Sequence, residues 1–108
     1  MAHNISRTFI YATGTFNTSG NNTVIAAQSG RQIVVKDIVI QNESTTETLV
    51  IIKNGSTAIW RAALEGKKSL ALSFAEGEEM LLDLSAALVV TLDGANSHGY
   101  SIRYFLAD

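Results

Sequence analysis

The 108-residue chain has no cysteine and no proline, and few of its residues are charged. Without cysteine it has no disulfide bond, no thiolate ligand for a metal and no thiol nucleophile. Charged residues make up 17% of the chain, below the roughly 25% of an average soluble domain, and the net charge is −2. This weak charge argues against nucleic-acid binding, which depends on neutralising phosphates.

A long apolar run is also lacking. No stretch approaches the roughly 20 apolar residues that a membrane-spanning helix needs. The segment Met1–Ser6 is too polar to resemble a secretory signal peptide. We therefore expect no membrane partner.

The residue types needed for catalysis and metal binding are scattered along the sequence. His3 and His98 are the only histidines, and neither has a second histidine close by. The densest acidic cluster, Glu76–Asp83, surrounds a glycine turn, where we expect the carboxylates to be solvated. No glycine-rich loop opens a helix, as a nucleotide-phosphate site would require. The sequence predicts no enzyme, no metal site and no cofactor.

Short apolar runs separated by turn residues are what the chain does contain. Asn54-Gly55 between two such runs is typical of a tight hairpin turn. No helical periodicity separates the runs. They predict an all-β fold, a sandwich or a barrel. The predicted strands are residues 7–11, 23–27, 32–41, 47–53, 57–63, 69–74, 79–84, 87–92 and 100–106.

The first 22 residues differ from the rest. They are polar apart from Arg7–Tyr11, and Gly14–Asn22 is rich in glycine, asparagine, serine and threonine, which is typical of a surface loop. The chain length corresponds to one domain. Within it we expect residues 1–22 to form an arm with one short strand, and residues 23–108 to form the sandwich.

Several predicted strands are apolar on both faces. Ser69–Phe74 alternates apolar and small residues, as a strand with one buried face does. Four other segments do not alternate in this way: Ile33–Val35 with Ile38–Ile40, Leu49–Ile52, Met80–Leu82 and Leu88–Val90. A second buried face in a chain this small indicates contact with another subunit. The alternative is that Val and Ile merely suit exposed strands.

These patterns predict which side chains contact another subunit. The candidate interface residues are Phe9, Tyr11, Val34, Val50, Ile52, Val89 and Phe105. A binding module is the other possibility, in which Trp60 and Arg61 form a platform that stacks on a sugar ring. The simpler interpretation of Trp60 is a core or interface position.

A rhythm of apolar strand, glycine turn and apolar strand runs through most of the chain. It covers Thr23–Ala27, Gly30–Val35, Glu47–Trp60, Leu70–Phe74, Met80–Ser85 and Gly99–Tyr104. In this rhythm the chain resembles a group of small virion proteins of tailed bacteriophages. The resemblance implies a single antiparallel β-sandwich, jelly-roll-like, with about eight to nine strands.

The same resemblance implies a structural function. Such proteins trimerise and decorate or cement capsids, so the implied partners are further copies of the chain and the major capsid protein or another virion protein. The implied location is the surface of the phage particle, after synthesis in the host cytoplasm. A carbohydrate- or receptor-binding jelly-roll module of a phage fibre is the alternative.

Overall fold

A computed structural model describes residues 8–107, and over that range the chain consists of strands, turns and irregular segments. Residues 1–7 and residue 108 lie outside the described part, and with them the beginning of the predicted arm. The prediction of an all-β fold is confirmed. The strands are β1 (Ile10–Phe16), β2 (Gly20–Ile25), β3 (Gln32–Asn42), β4 (Thr48–Asn54), β5 (Thr57–Leu64), β6 (Ser69–Ser73), β7 (Met80–Leu81), β8 (Leu88–Leu92) and β9 (His98–Ala107).

The strands form two antiparallel sheets. Sheet A has the order β1-β9-β3-β6, and the two-residue strand β7 pairs with β3 on the side that β6 occupies. Sheet B has the order β2-β8-β4-β5. Every pairing between neighbours is antiparallel.

The pairings are nested like those of one long folded hairpin. If the short β7 is left out, β1 pairs with β9, β2 with β8, β3 with β6, and β4 with β5 in the central hairpin. Successive strands alternate between the sheets, except at the central hairpin. This connectivity is the jelly-roll-like arrangement of a double-sheet sandwich.

The space between the sheets holds one hydrophobic cluster. Its largest fully buried members come from both sheets: Ile38, Ile40 and Ile102 from sheet A, and Ile52 and Leu92 from sheet B. At one end, buried Asn42 of β3 donates from Nδ2 to the carbonyl oxygens of Thr46 (2.7 Å) and of Leu64 at the end of β5 (3.0 Å). These bonds tie the two sheets together there.

A β-bulge in β3 reverses which residues face the core. Val35 pairs with Tyr104 and Asp37 with Arg103, so Lys36 is an extra residue on β3. As a result Ile33 and Val35 face inward before the bulge, and Ile38 and Ile40 face inward after it. The sequence pattern of this segment, apolar on both faces, thus arises partly from a change of parity within one strand.

The N-terminal segment differs most from the sequence prediction. The expected strand at 7–11 and loop at 14–22 are instead β1, which extends to Phe16, and β2, which begins at Gly20. From Ile10 onward the expected arm therefore belongs to the two sheets. The misleading residue was Gly14, which indicates a turn by composition. In the structure a Cβ on Gly14 would lie 3.0 Å from the Tyr100 hydroxyl, so this glycine makes room for the Tyr100 ring.

Candidate functional site

The outer face of sheet A, which points away from the core, is the candidate functional surface. Directly opposed residues of an antiparallel pair lie on the same face, so the registers of sheet A define the rows that cross it. One row is apolar and the next is polar. The two rows lie side by side along β9.

The apolar row crosses sheet A from β9 to β7. Phe105 of β9 opposes Val34 of β3, which opposes Leu81 of β7. Phe9, just before β1, packs edge to face on Phe105 with ring centroids 5.9 Å apart. Val34 is only 6% exposed although it lies on an outer face, whereas Leu81 is 57% exposed. The row is therefore a small second apolar cluster, partly open to solvent.

The polar row contains an ion pair. Arg103 donates to Asp37 from Nε to Oδ2 (2.7 Å) and from Nη2 to Oδ1 (3.3 Å). Its guanidinium lies 5.0 Å from the centre of the Phe9 ring. The hydrogen bond to Asp37 raises the pKa of Arg103 above its ordinary value, and the neighbouring Tyr11 acts in the same direction. Because the two charges neutralise each other, the centre of this face presents no net charge.

The middle of the same face is concave. A shallow depression of about 300 Å³ is lined by Tyr11, Asp37, Val39, Ser101 and Arg103. A second depression of about 300 Å³ shares Val39 and Ser101 with the first and extends toward Gln41 and Glu43. The side chain of Tyr11, 69% exposed, stands at the border of the concave area.

Sheet B presents a different outer face. Leu49, Ile51 and Val89 lie on it. Ile51 opposes Arg61 and Thr91, Val89 opposes Thr23 and Lys53, and Leu49 opposes Ala63. Asn21 accepts from both the Thr91 hydroxyl (2.6 Å) and the Lys53 ammonium group (3.2 Å) on this face. These contacts pair three polar side chains of this face with one another.

The structure distributes the seven candidate interface residues over three environments. Phe9, Tyr11, Val34 and Phe105 share the outer face of sheet A. Val89 lies on the outer face of sheet B, where it is 8% exposed.

The expectation for Val50 and Ile52 must be corrected. Both are 0% exposed and belong to the hydrophobic core. The parity of β4 decides this, because Val50 opposes the buried Leu92 and Ile52 opposes the buried Val90. The outward residues of β4 are Leu49 and Ile51, and a sequence that is apolar on both faces does not reveal which parity faces inward.

The sugar platform considered as an alternative at Trp60 and Arg61 is not assembled. Trp60 opposes Ile52 and packs against the core, whereas Arg61 opposes Ile51 on the outer face. Consecutive residues of a strand point to opposite faces, so the two side chains lie on opposite sides of sheet B.

Sequence reasoning missed two contributors to the outer face of sheet A. Leu81 was hidden within a run of apolar residues, and only its position opposite Val34 identifies it as outward. Asp37 was missed because its pairing with Arg103 joins residues far apart in the chain. A signal was present for Asp37, since a charged residue inside an apolar run requires a partner or solvent.

Two negative observations apply to residues 8–107. No group of three or more histidine or acidic side chains in that range is placed to hold a metal ion. Nor does that part of the chain contain a helix long and apolar enough to cross a membrane.

The fold belongs to the class of antiparallel β-sandwiches found in viral capsids. A chain in the acid-stable capsid structure of Helicobacter pylori bacteriophage KHP30 superposes with a TM-score of 0.63 and 15% identity, over 93% of this chain and 90% of that one. A chain in the virus-like particle of extra small virus, from the giant freshwater prawn Macrobrachium rosenbergii, superposes with a TM-score of 0.50 and 8% identity, over 100% of this chain and 84% of that one.

Other comparisons add little. A likeness to PirA has a TM-score of 0.43 and 14% identity, which is too weak to support an argument. No family model matches the chain, and no curated protein matches its sequence. At these identities the two capsid structures establish the fold that is shared.

Proposed function

We propose that the chain is a structural protein of a virus particle, in which it decorates or cements the capsid as a homotrimer. The observation that supports this most is the likeness to a chain of the bacteriophage KHP30 capsid, which extends over 93% of this chain and 90% of that one. The two chains are therefore similar in length, and the likeness is not confined to a shared subdomain. Fold likeness alone does not establish function, so the surface must support the proposal independently.

The outer face of sheet A has the properties that such a role requires. It combines an apolar row with an internally neutralised ion pair. Desolvating a neutralised pair costs less than desolvating a lone charge, and the apolar row gains from being covered. We propose that this face contacts the major capsid protein or another virion protein, with the chain on the particle surface after synthesis in the host cytoplasm.

A cement role predicts a mechanical effect. Particles that lack the chain should rupture at a lower temperature than complete particles, because contact area across subunit boundaries is lost. Adding the purified chain back should restore the rupture temperature. The comparison uses complete, depleted and reconstituted particles of the virus that encodes the chain, heated while release of the genome is followed. Equal rupture temperatures for complete and depleted particles would contradict the cement role.

A pair of variants tests whether the outer face of sheet A is the docking surface. Leu81→Lys places a charge in the exposed apolar row, whereas Ala63→Lys places one at an exposed position on the outer face of sheet B. We expect Leu81→Lys to reduce binding to depleted particles at least tenfold and Ala63→Lys to leave it unchanged, as measured by co-sedimentation. Equal binding by both variants would exclude this face as the docking surface.

A further inference from the structure

The longer edge strands of the sandwich, β1 and β6 of sheet A and β2 and β5 of sheet B, are not equivalent. Both edges of sheet B contain a β-bulge: Val24 is the extra residue on β2, and Ile59 is the extra residue on β5. The edges of sheet A, β1 and β6, pair with their neighbours without any shift of register. Neither β1 nor β6 contains a charged residue. Bulges and charges are devices that prevent an edge from pairing with another strand, and sheet A lacks both at its edges.

The backbone hydrogen bonds show which groups each edge leaves outward. The backbone N–H of Glu43, the residue after β3, donates to the carbonyl oxygen of Ser97, the residue before β9 (2.9 Å). The backbone groups of an antiparallel strand point alternately to its two neighbours. Continued along β9, this alternation directs Gly99 and Ser101 toward β3, and Tyr100 and Ile102 toward β1. The β1 residues whose N–H and C=O groups point away from β9 are therefore Tyr11, Thr13 and Thr15.

The same reasoning applies at the opposite edge. The backbone N–H of Asn42 donates to the Lys68 carbonyl oxygen (2.9 Å), and the backbone N–H of Phe74 donates to the Lys36 carbonyl oxygen (3.0 Å). Leu70 lies two residues after Lys68, and Leu72 lies two residues before Phe74. Because the direction of the backbone groups alternates along a strand, Leu70 and Leu72 also direct theirs toward β3. The β6 residues whose backbone groups point outward are Ser69, Ala71 and Ser73, and all three are exposed.

These two edges are complementary to each other. When the central residue of β1, Thr13, opposes the central residue of β6, Ala71, in antiparallel register, the three outward residues of one edge oppose the three outward residues of the other. Larger side chains then face small ones on both sides of the sheet. The opposed pairs are Tyr11 with Ser73, Ala12 with Leu72, Gly14 with Leu70, and Thr15 with Ser69.

We propose that copies of the chain join through these edges, with β1 of one copy pairing with β6 of the next, so that sheet A continues from subunit to subunit around a closed ring. The strands of sheet A alternate in direction, so β6 of one copy and β1 of an identically oriented copy are antiparallel. A second copy is the occupant because one molecule supplies both complementary edges. This inference rests on the self-association in the proposed function and specifies the surfaces that produce it.

Three single variants test the pairing by light scattering after size exclusion. The assembled wild type should have a mass of about 35 kDa, three times 11.6 kDa. Thr13→Lys and Ala71→Lys, each a charge at the centre of an edge of sheet A, should both reduce the mass to that of a monomer. Thr23→Lys, at an exposed position on the bulged edge β2, is the matched control and should leave the mass unchanged.

A double variant tests the specific partner. Thr13→Lys combined with Ala71→Glu places opposite charges across the proposed junction and should restore the assembly. Dissociation by Thr13→Lys but not by Ala71→Lys would indicate pairing of β1 with β1 and would overturn the proposal. A monomeric wild type would also overturn it. Dissociation of the ring by the edge variants would support the edge pairing even if the wild-type protein failed to bind particles. That failure would contradict only the proposed capsid role.

Discussion

The two sheets share one core but differ in every surface that they leave open. Sheet A has regular edges, an apolar row and a concave outer face. Sheet B has bulged edges and an outer face on which Asn21, Lys53 and Thr91 bond to one another. This difference is the basis of our proposal that the chain assembles through sheet A rather than through sheet B.

The largest effect on stability is expected from a substitution in β4 of sheet B. Val50→Lys buries an unpaired charge in the core and should unfold the chain, a cost above about 4 kcal/mol. Ile51→Lys, one residue later on the outer face, should leave the chain folded and its mass unchanged. Circular dichroism and light scattering measure the two results. Dissociation by Ile51→Lys would show that sheet B also forms a subunit contact, and the contrast between the sheets would fail.

An intermediate effect is expected where the two sheets are tied together. Asn42 is fully buried, donates to two carbonyl oxygens and accepts from the amide and hydroxyl of Ser44. Asn42→Ala leaves these groups without their partner and should lower the free energy of unfolding by about 2 kcal/mol. Gln41→Ala, at the exposed neighbouring position, is the matched control for urea unfolding. Equal losses in the two variants would mean that the link between the sheets contributes no stability.

Sequence reasoning predicted the fold class because the relevant signals are local. The sequence predicted the β4–β5 hairpin, but its turn residues are Gly55 and Ser56 rather than Asn54 and Gly55. Strands β3, β4 and β5 begin and end within about one residue of their predicted bounds. The N-terminal strands were misplaced because glycine is used both in turns and where a neighbouring ring needs space. Gly14 serves the second purpose, and only the position of Tyr100 reveals it.

The candidate surface was harder to predict because it depends on parity and pairing. A run such as Leu49–Ile52 shows that both faces of a strand are apolar but not which face is inward. In β3 the bulge at Lys36 changes which alternate residues face the core, and no local sequence pattern predicts this change. The regularity of β1 and β6 at the edges of sheet A likewise becomes visible only when the registers of all four edge strands are compared.

Assembly through sheet A should protect particular backbone amides, and amide hydrogen exchange measures this protection directly. At concentrations where the chain is assembled, the amides of Tyr11, Thr13, Thr15, Ser69, Ala71 and Ser73 should exchange slowly, and on dilution to monomer they should exchange rapidly. The amides of the bulged edges β2 and β5 should show no such dependence on concentration. Protection that changes equally at the edges of both sheets, or at neither, would contradict assembly through sheet A.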